Sequence, residues 1–72
     1  MIEDLETIAS KIDRLWHDIR HVREALAEHP DDLSHVDAKL FGASDRLAEA
    51  EVDIQIAVDQ LKKVEEIGRA HV

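Results

Sequence analysis

The sequence predicts an all-α fold, an antiparallel and coiled-coil-like two-helix hairpin that spans residues 1–72 as one domain. The basis is a pair of apolar ladders with alternating spacings of three and four residues, separated by a single proline. Such spacing puts one apolar stripe on each of two helices. The first ladder consists of Leu5, Ile8, Ile12, Leu15, Ile19, Val22 and Leu26. The second consists of Leu33, Val36, Leu40, Ala43, Leu47, Ala50, Ile54, Ala57, Leu61 and Val64.

The first helix is predicted over residues 2–28. Glu3, Asp4 and Glu6 place negative charge near its N-terminus, where the helix dipole favours carboxylates. Pro30 ends this helix, because the residue before a proline is pushed out of the α region. Residues 29–32 are therefore predicted to form the turn.

The second helix is predicted over residues 32–67. Asp31 or Asp32 is placed to cap its N-terminus, and Gly68 is placed to end it. Gly42 leaves open a break near residue 42, which would give three helices instead of two. Because the apolar ladder passes this glycine in register, a continuous helix or a mild bend is favoured.

The position of the turn predicts how the two ladders pair. Large side chains of the first helix repeatedly face alanine in the second, so the two axes can approach closely. The predicted pairs are Leu26–Val36, Val22–Leu40, Ile19–Ala43, Leu15–Leu47, Ile12–Ala50, Ile8–Ile54, Leu5–Ala57 and Met1–Leu61. The same register, centred on Asp31, brings three flanking pairs of opposite charge together: Lys11–Asp53, Asp18–Arg46 and Arg23–Asp37.

A hairpin of this length buries little apolar surface, and the chain has no cysteine for a disulfide. Apolar residues off the seam therefore predict a second interface, although scattered exposed apolar side chains are also common. The predicted interface residues off the seam are Trp16, Phe41, Val52, Ile56 and Val58. Val64 and Ile67 are added, with Val72 as a further uncovered residue, because the second helix extends past Leu61, the predicted partner of Met1. A second copy would cover them in a homodimeric four-helix bundle, and another protein could equally take that face.

The chain is acidic, with a net charge of −8 and a pI near 4.9. Phosphate backbones repel such a surface, so direct nucleic-acid binding is not expected. No apolar run approaches the roughly 20 residues needed to span a bilayer, and the N-terminus lacks the pattern of a secretion signal. We therefore expect a cytoplasmic protein that does not contact membranes.

Two histidines are the clearest candidates for metal chemistry. His17 and His21 lie four residues apart on the outward face of the first helix, with Asp13 and Glu24 on the same face. Such a pair can chelate Zn²⁺ or Ni²⁺ with a carboxylate as third ligand. A solvated polar face is the favoured interpretation, because nothing in the sequence orients the two imidazoles. No cofactor is expected, and zinc or nickel binding would be adventitious.

Catalysis is not expected, since no carboxylate falls in the predicted core and no phosphate-binding loop is present. The leading hypothesis is a small, acidic, non-catalytic protein–protein interaction module: an adaptor, an assembly subunit or an inhibitor of a larger complex. Phage and mobile-element proteins that block a larger complex often have this size and acidity. The outline is similar to Rop-type hairpin dimers, although the acidic surface departs from what RNA recognition requires. The alternative is a helical assembly linked by metal at His17 and His21.

Overall fold

The computed structural model describes residues 1–70 of the chain, and its side chains through residue 68, so that Val72 lies outside the described residues. It contains two helices, α1 (Ile2–Ala27) and α2 (Ser34–Ala70), and no strand within that range. The helices pack against each other in a rod with extents of 65 × 15 × 11 Å. The all-helical hairpin predicted from the sequence is therefore confirmed.

The first helix ends within one residue of its predicted end. Glu3 and Asp4 lie in its first turn, as expected. At the other end, the backbone N–H groups of Glu28 and His29 donate to carbonyls three residues earlier, at 3.2 and 3.1 Å. These shorter-range bonds tighten the last turn just before Pro30, which has no N–H to donate.

The second helix begins at Ser34, two residues later than predicted. Asp32 lies in the turn and binds the first N–H group of the helix from there. The Asp32 Oδ1 atom accepts a hydrogen bond of 3.1 Å from the backbone N–H of Ser34. Hydrogen bonds from Ser34 to its carboxylate lower the pKa of Asp32, since they favour the charged form. The carbonyl of Leu33 then accepts the first backbone bonds of the helix, from Val36 and Asp37, at 3.0 Å each.

The second helix continues through both of its glycines. It passes Gly42 without interruption, so the three-helix alternative does not describe this structure. It also continues past Gly68 to Ala70, so the prediction that Gly68 ends the helix is wrong. Glycine ends helices by adopting a left-handed conformation, and both glycines here keep negative φ angles.

The lengthwise register of the two helices agrees with the predicted one. The Arg23 Nε atom lies 2.8 Å from Asp37 Oδ1, and its guanidinium carbon lies 5.0 Å from the centre of the Phe41 ring. Arg23 is therefore level with residue 39, midway between these two partners. Residues 23 and 39 are equally far from Asp31, the predicted centre of the turn.

The rotation of the helices about their axes differs from the prediction. Ile8, Leu15 and Val22, which the ladder spacing assigns to the seam, are exposed. Ala9 and Val58 are the buried apolar residues of the described chain, at 4% and 2% exposure. The buried and half-buried residues of α1 are Ile2, Leu5, Ala9, Ile12, Trp16, Ile19, Arg23 and Leu26. Alternate residues of the first ladder thus stay in the contact between the helices, namely Leu5, Ile12, Ile19 and Leu26. The residues between them, Ile8, Leu15 and Val22, are turned outwards.

This rotation also changes the flanking ion pairs. The predicted pair between Arg23 and Asp37 forms, with a second contact of 3.3 Å from Nη2 to Oδ2. Within residues 1–68, Lys11 and Asp53 form no ion pair, and Asp18 forms none with Arg46. Two of the three predicted pairs are therefore wrong for the isolated hairpin.

Candidate interaction surface

The outward-turned residues of both helices form a continuous stripe that we call the apolar face. Each lies three positions after a residue of the contact row, which places it beside that row on one flank. The contact row comprises the buried and half-buried residues of α1 named above and, along the second half of the hairpin, Leu33, Asp37, Leu40, Ser44, Leu47, Glu51, Ile54, Val58 and Leu61. On α1 the apolar face consists of Ile8, Leu15 and Val22. On α2 it consists of Val36, Ala43, Ala50, Ala57 and Val64. Every large side chain in this set is exposed, and the three alanines are partly exposed.

Both rows lie on the same side of the hairpin. The opposite flank can be identified directly, because Glu6 and Asp13 of α1 line one cleft together with Gln55 and Lys62 of α2. These four residues follow the contact rows by four positions rather than three, so they lie on the other side of each helix. The two flanks that remain, both apolar, must therefore adjoin each other across the hairpin.

Charged residues of both signs border the apolar face. Lys11 and Asp18 lie four positions before Leu15 and Val22, so they edge the face on α1. Arg46 and Asp53 have the same relation to the alanine row and edge the face on α2. All four side chains are exposed. The face is thus an uncharged strip with both signs of charge along each border.

The hairpin exposes more surface than a compact protein of its mass. Its accessible surface is 5851 Å², whereas a compact monomer of 8.2 kDa has about 4,500 Å². The excess, about 1,300 Å² by the same scaling, exceeds the roughly 800 Å² that each partner buries in a standard protein interface.

The two aromatic residues of the predicted interface pack against arginines of the same hairpin. The guanidinium carbon of Arg20 lies 5.9 Å from the centre of the Trp16 ring, and the guanidinium group of Arg23 lies over the Phe41 ring in the same way. Trp16 is half-buried and lines a cleft with Ser44, a small residue that is 7% exposed. Both aromatic rings therefore border the polar flank rather than the apolar face.

The aliphatic residues of the predicted interface are divided among three places. Val58, at 2% exposure, belongs to the contact between the helices, and its burial removes it from any second interface. Val64 lies at the end of the apolar face, whereas Val52, Ile56 and Ile67 are exposed elsewhere on α2.

The ladder spacing does not predict that Ile8, Leu15 and Val22 of α1 lie on the surface. Each is large, and they recur at a spacing of seven residues. That repeat was the signal that could have identified them as a separate row of α1.

The histidine pair lies on the outer surface of α1, where each imidazole has an acidic neighbour. His17 Nε2 lies 3.6 Å from Asp13 Oδ2, and His21 Nδ1 lies 3.8 Å from Glu24 Oε2. All four side chains are more than half exposed. No group of three or more His, Asp or Glu residues in the described part of the chain is arranged to hold a metal ion.

The turn end of the hairpin is held by a charged pair beside an open cleft of ≈ 540 Å³. The hydrogen bond from Arg23 lowers the pKa of Asp37, because it favours the ionised carboxylate. The same bond raises the pKa of Arg23. This pair links α1 to α2 beside the turn.

No helix in the described range is both long and apolar enough to cross a membrane. Comparison with known proteins found no matching family model, no matching curated protein and no matching solved structure. The interaction surface therefore has to be interpreted from its own geometry and charge.

Proposed function

We propose that this chain is a small, non-catalytic assembly subunit whose apolar face joins it to a second copy, which gives a homodimeric four-helix bundle. The observation that carries this proposal is the apolar face itself. It runs from Ile8 to Val22 along α1 with no charged residue inside it. Single exposed apolar side chains are ordinary, but a contiguous strip of this length is typical of a protein interface.

The width of the apolar sector also supports a bundle of four helices. In a two-helix coiled coil the apolar stripe covers two positions of each heptad, whereas a helix in a larger core buries three. The heptad from residue 12 to residue 18 has three apolar positions, Ile12, Leu15 and Trp16. A sector this broad can contact two neighbouring helices at once, as each helix does in a four-helix bundle.

The size of the face matches what a stable dimer needs. Two helices, each about 10 Å across and overlapping over about 39 Å, present on the order of 800 Å² to a flat partner. That is the share of one partner in a standard interface. The hairpin has two buried apolar residues among those described, so burying this face would add most of its core.

Two matched substitutions test the proposal. Leu15 is 51% exposed and lies on the apolar face, whereas Ile56 is 49% exposed and lies on the outer side of α2. We expect the unaltered chain to sediment as a dimer across a wide concentration range. Leu15→Glu should shift it to monomer, because each dimer would bury two unpaired carboxylates. Ile56→Glu should leave the dimer intact.

The outcomes separate the competing interpretations. A concentration-independent monomer of the unaltered chain would overturn self-association and leave the apolar face to a different protein, as an adaptor or inhibitor would use it. A dimer that is lost with Ile56→Glu and retained with Leu15→Glu would move the interface to the outer side of α2. Circular dichroism on each variant distinguishes loss of the dimer from loss of the helices.

A further inference from the structure

We infer that the two hairpins associate with their turns at the same end, so that α1 of each copy packs against α2 of the other. This inference rests on the proposed dimer and names its arrangement. Two twofold arrangements can bury the apolar face. In one the axis runs along the bundle and the turns lie together; in the other the axis crosses the bundle and the turns lie at opposite ends.

Side-chain volume distinguishes the two arrangements. The apolar face carries large residues on α1, among them Ile8 and Leu15, and a run of alanines on the middle of α2. With the turns together, each α1 row meets the alanine row of the other copy, so large and small side chains interdigitate equally on both sides. With the turns apart, large residues meet large ones on one side and alanines meet alanines on the other. The helices would then need unequal spacings within one bundle.

The charged borders of the face fit a second copy in the same arrangement. A twofold axis that runs along the bundle keeps every residue at the same height. Residues of α1 and α2 that are level within one hairpin are therefore also level between the two copies. Counting from Arg23, which is level with residue 39, Lys11 is level with residue 51 and Asp18 with residue 44. Asp53 and Arg46 of the other copy then lie two residues further along, an offset of about 3 Å that long side chains span.

These contacts explain two pairs that the isolated hairpin leaves unmade. Lys11 matches Asp53 and Asp18 matches Arg46 in sign and level, yet neither pair forms within residues 1–68 of one copy. The rotation that turns the apolar face outwards carries these charges to its borders, where they meet the other copy instead. Twofold symmetry makes each pair occur twice.

A distance between spin labels tests the arrangement. The chain has no cysteine, so Asp31→Cys gives one label per copy at the exposed turn. With the turns together, we expect a distance of about 20 Å; with the turns apart, the helix length places the labels roughly 50 Å apart. A label at the middle of α1, through Arg14→Cys, is the matched control, since both arrangements place it at about 20–30 Å.

The label distance tests the same-end arrangement, and the sedimentation of the labelled chain tests the dimer itself. A distance near 50 Å in a dimer, as helix length sets it, would overturn the same-end arrangement and leave the assembly proposal standing. Sedimentation of the labelled chain as a monomer would instead overturn the assembly proposal. A short distance at the turn together with the control distance would support both.

A charge exchange provides a second, independent test. Lys11→Glu and Asp53→Lys should each weaken the dimer by about 2- to 30-fold, because each replaces two attractive pairs with repulsive ones. Combining them should restore the affinity to within about twofold. With the turns apart, Lys11 would instead meet Asp18 of the other copy, and the double variant would be weaker than either single one.

Discussion

Replacing Gly42 with alanine should stabilise the protein, because the backbone at this position already has the conformation that alanine prefers. Gly42 lies in the continuous part of α2 and has a negative φ angle. A Cβ atom built there meets nothing within 4 Å outside the local helix backbone. The methyl group therefore introduces no clash, and the substitution acts on backbone entropy alone.

The expected gain is about 1 kcal/mol per chain, which is the difference in helix propensity between glycine and alanine. For a chain of this size, that gain raises the melting temperature by about 4–8 °C. The assay is thermal unfolding followed by the helical circular dichroism signal. Protein concentration must be the same for every variant, since the stability of a dimer depends on it.

Gly68→Ala is the matched control. Its Cβ atom also meets nothing within 4 Å, but Gly68 lies in the last turn of α2, where helices fray. We expect a shift of less than half that of Gly42→Ala. If Gly42→Ala lowers the melting temperature, residue 42 is not helical in solution and the continuous α2 is refuted.

Two further predictions concern charge and metal. The pKa of Asp37 is lowered in the folded chain, so its stabilising effect is complete above its unfolded pKa and is lost as the pH falls through the folded value. The difference in melting temperature between the unaltered chain and Asp37→Asn should therefore be constant around neutral pH and shrink below about pH 3.8; a constant difference down to about pH 2 would refute the link to Arg23. For the histidine pair, we expect the same melting temperature with zinc and with chelator; stabilisation by zinc that His17→Ala abolishes would revive the metal-linked assembly.

The fold is predictable from the sequence because its signals are local and agree with one another. Proline at residue 30 ends α1, since it lacks an N–H and restricts the residue before it. Asp32 then supplies the carboxylate that begins α2. Once the end of α1 and the start of α2 are known, the turn between them determines the lengthwise register of the two helices. The contacts of Arg23 agree with that register.

Helix rotation is not predictable in the same way, because the apolar sector is wider than the contact between two helices. Ile8 and Ala9 are neighbours in the sequence, and either could face α2. Ladder spacing favours Ile8, yet the structure buries Ala9 and leaves Ile8 exposed. Small residues such as Ala9 and Ser44 let the helices approach closely. The spacing of apolar residues does not show that small residues are preferred where the two helices touch.

The same ambiguity explains why the spacing pattern predicts Trp16 and Phe41 as interface residues and does not include Ile8, Leu15 or Val22. When every ladder residue is assigned to the seam, Trp16 and Phe41 are among the apolar residues left over, so the pattern predicts them as part of the docking surface. In the structure these rings pack beside Arg20 and Arg23 on the polar flank. The exposed residues of the first ladder are instead Ile8, Leu15 and Val22.

The proposed assembly would bury the ladder residues that the hairpin leaves exposed. In a four-helix bundle, each helix contacts two neighbours, so both rows of its ladder are buried at once. Leu5 and its row would face the other helix of the hairpin, and Leu15 and its row would face the second copy. On this view the ladders belong to a core that four helices share. The pairing of Lys11 with Asp53 then belongs between copies, which is why the charge exchange tests the assembly more sharply than any substitution inside the hairpin.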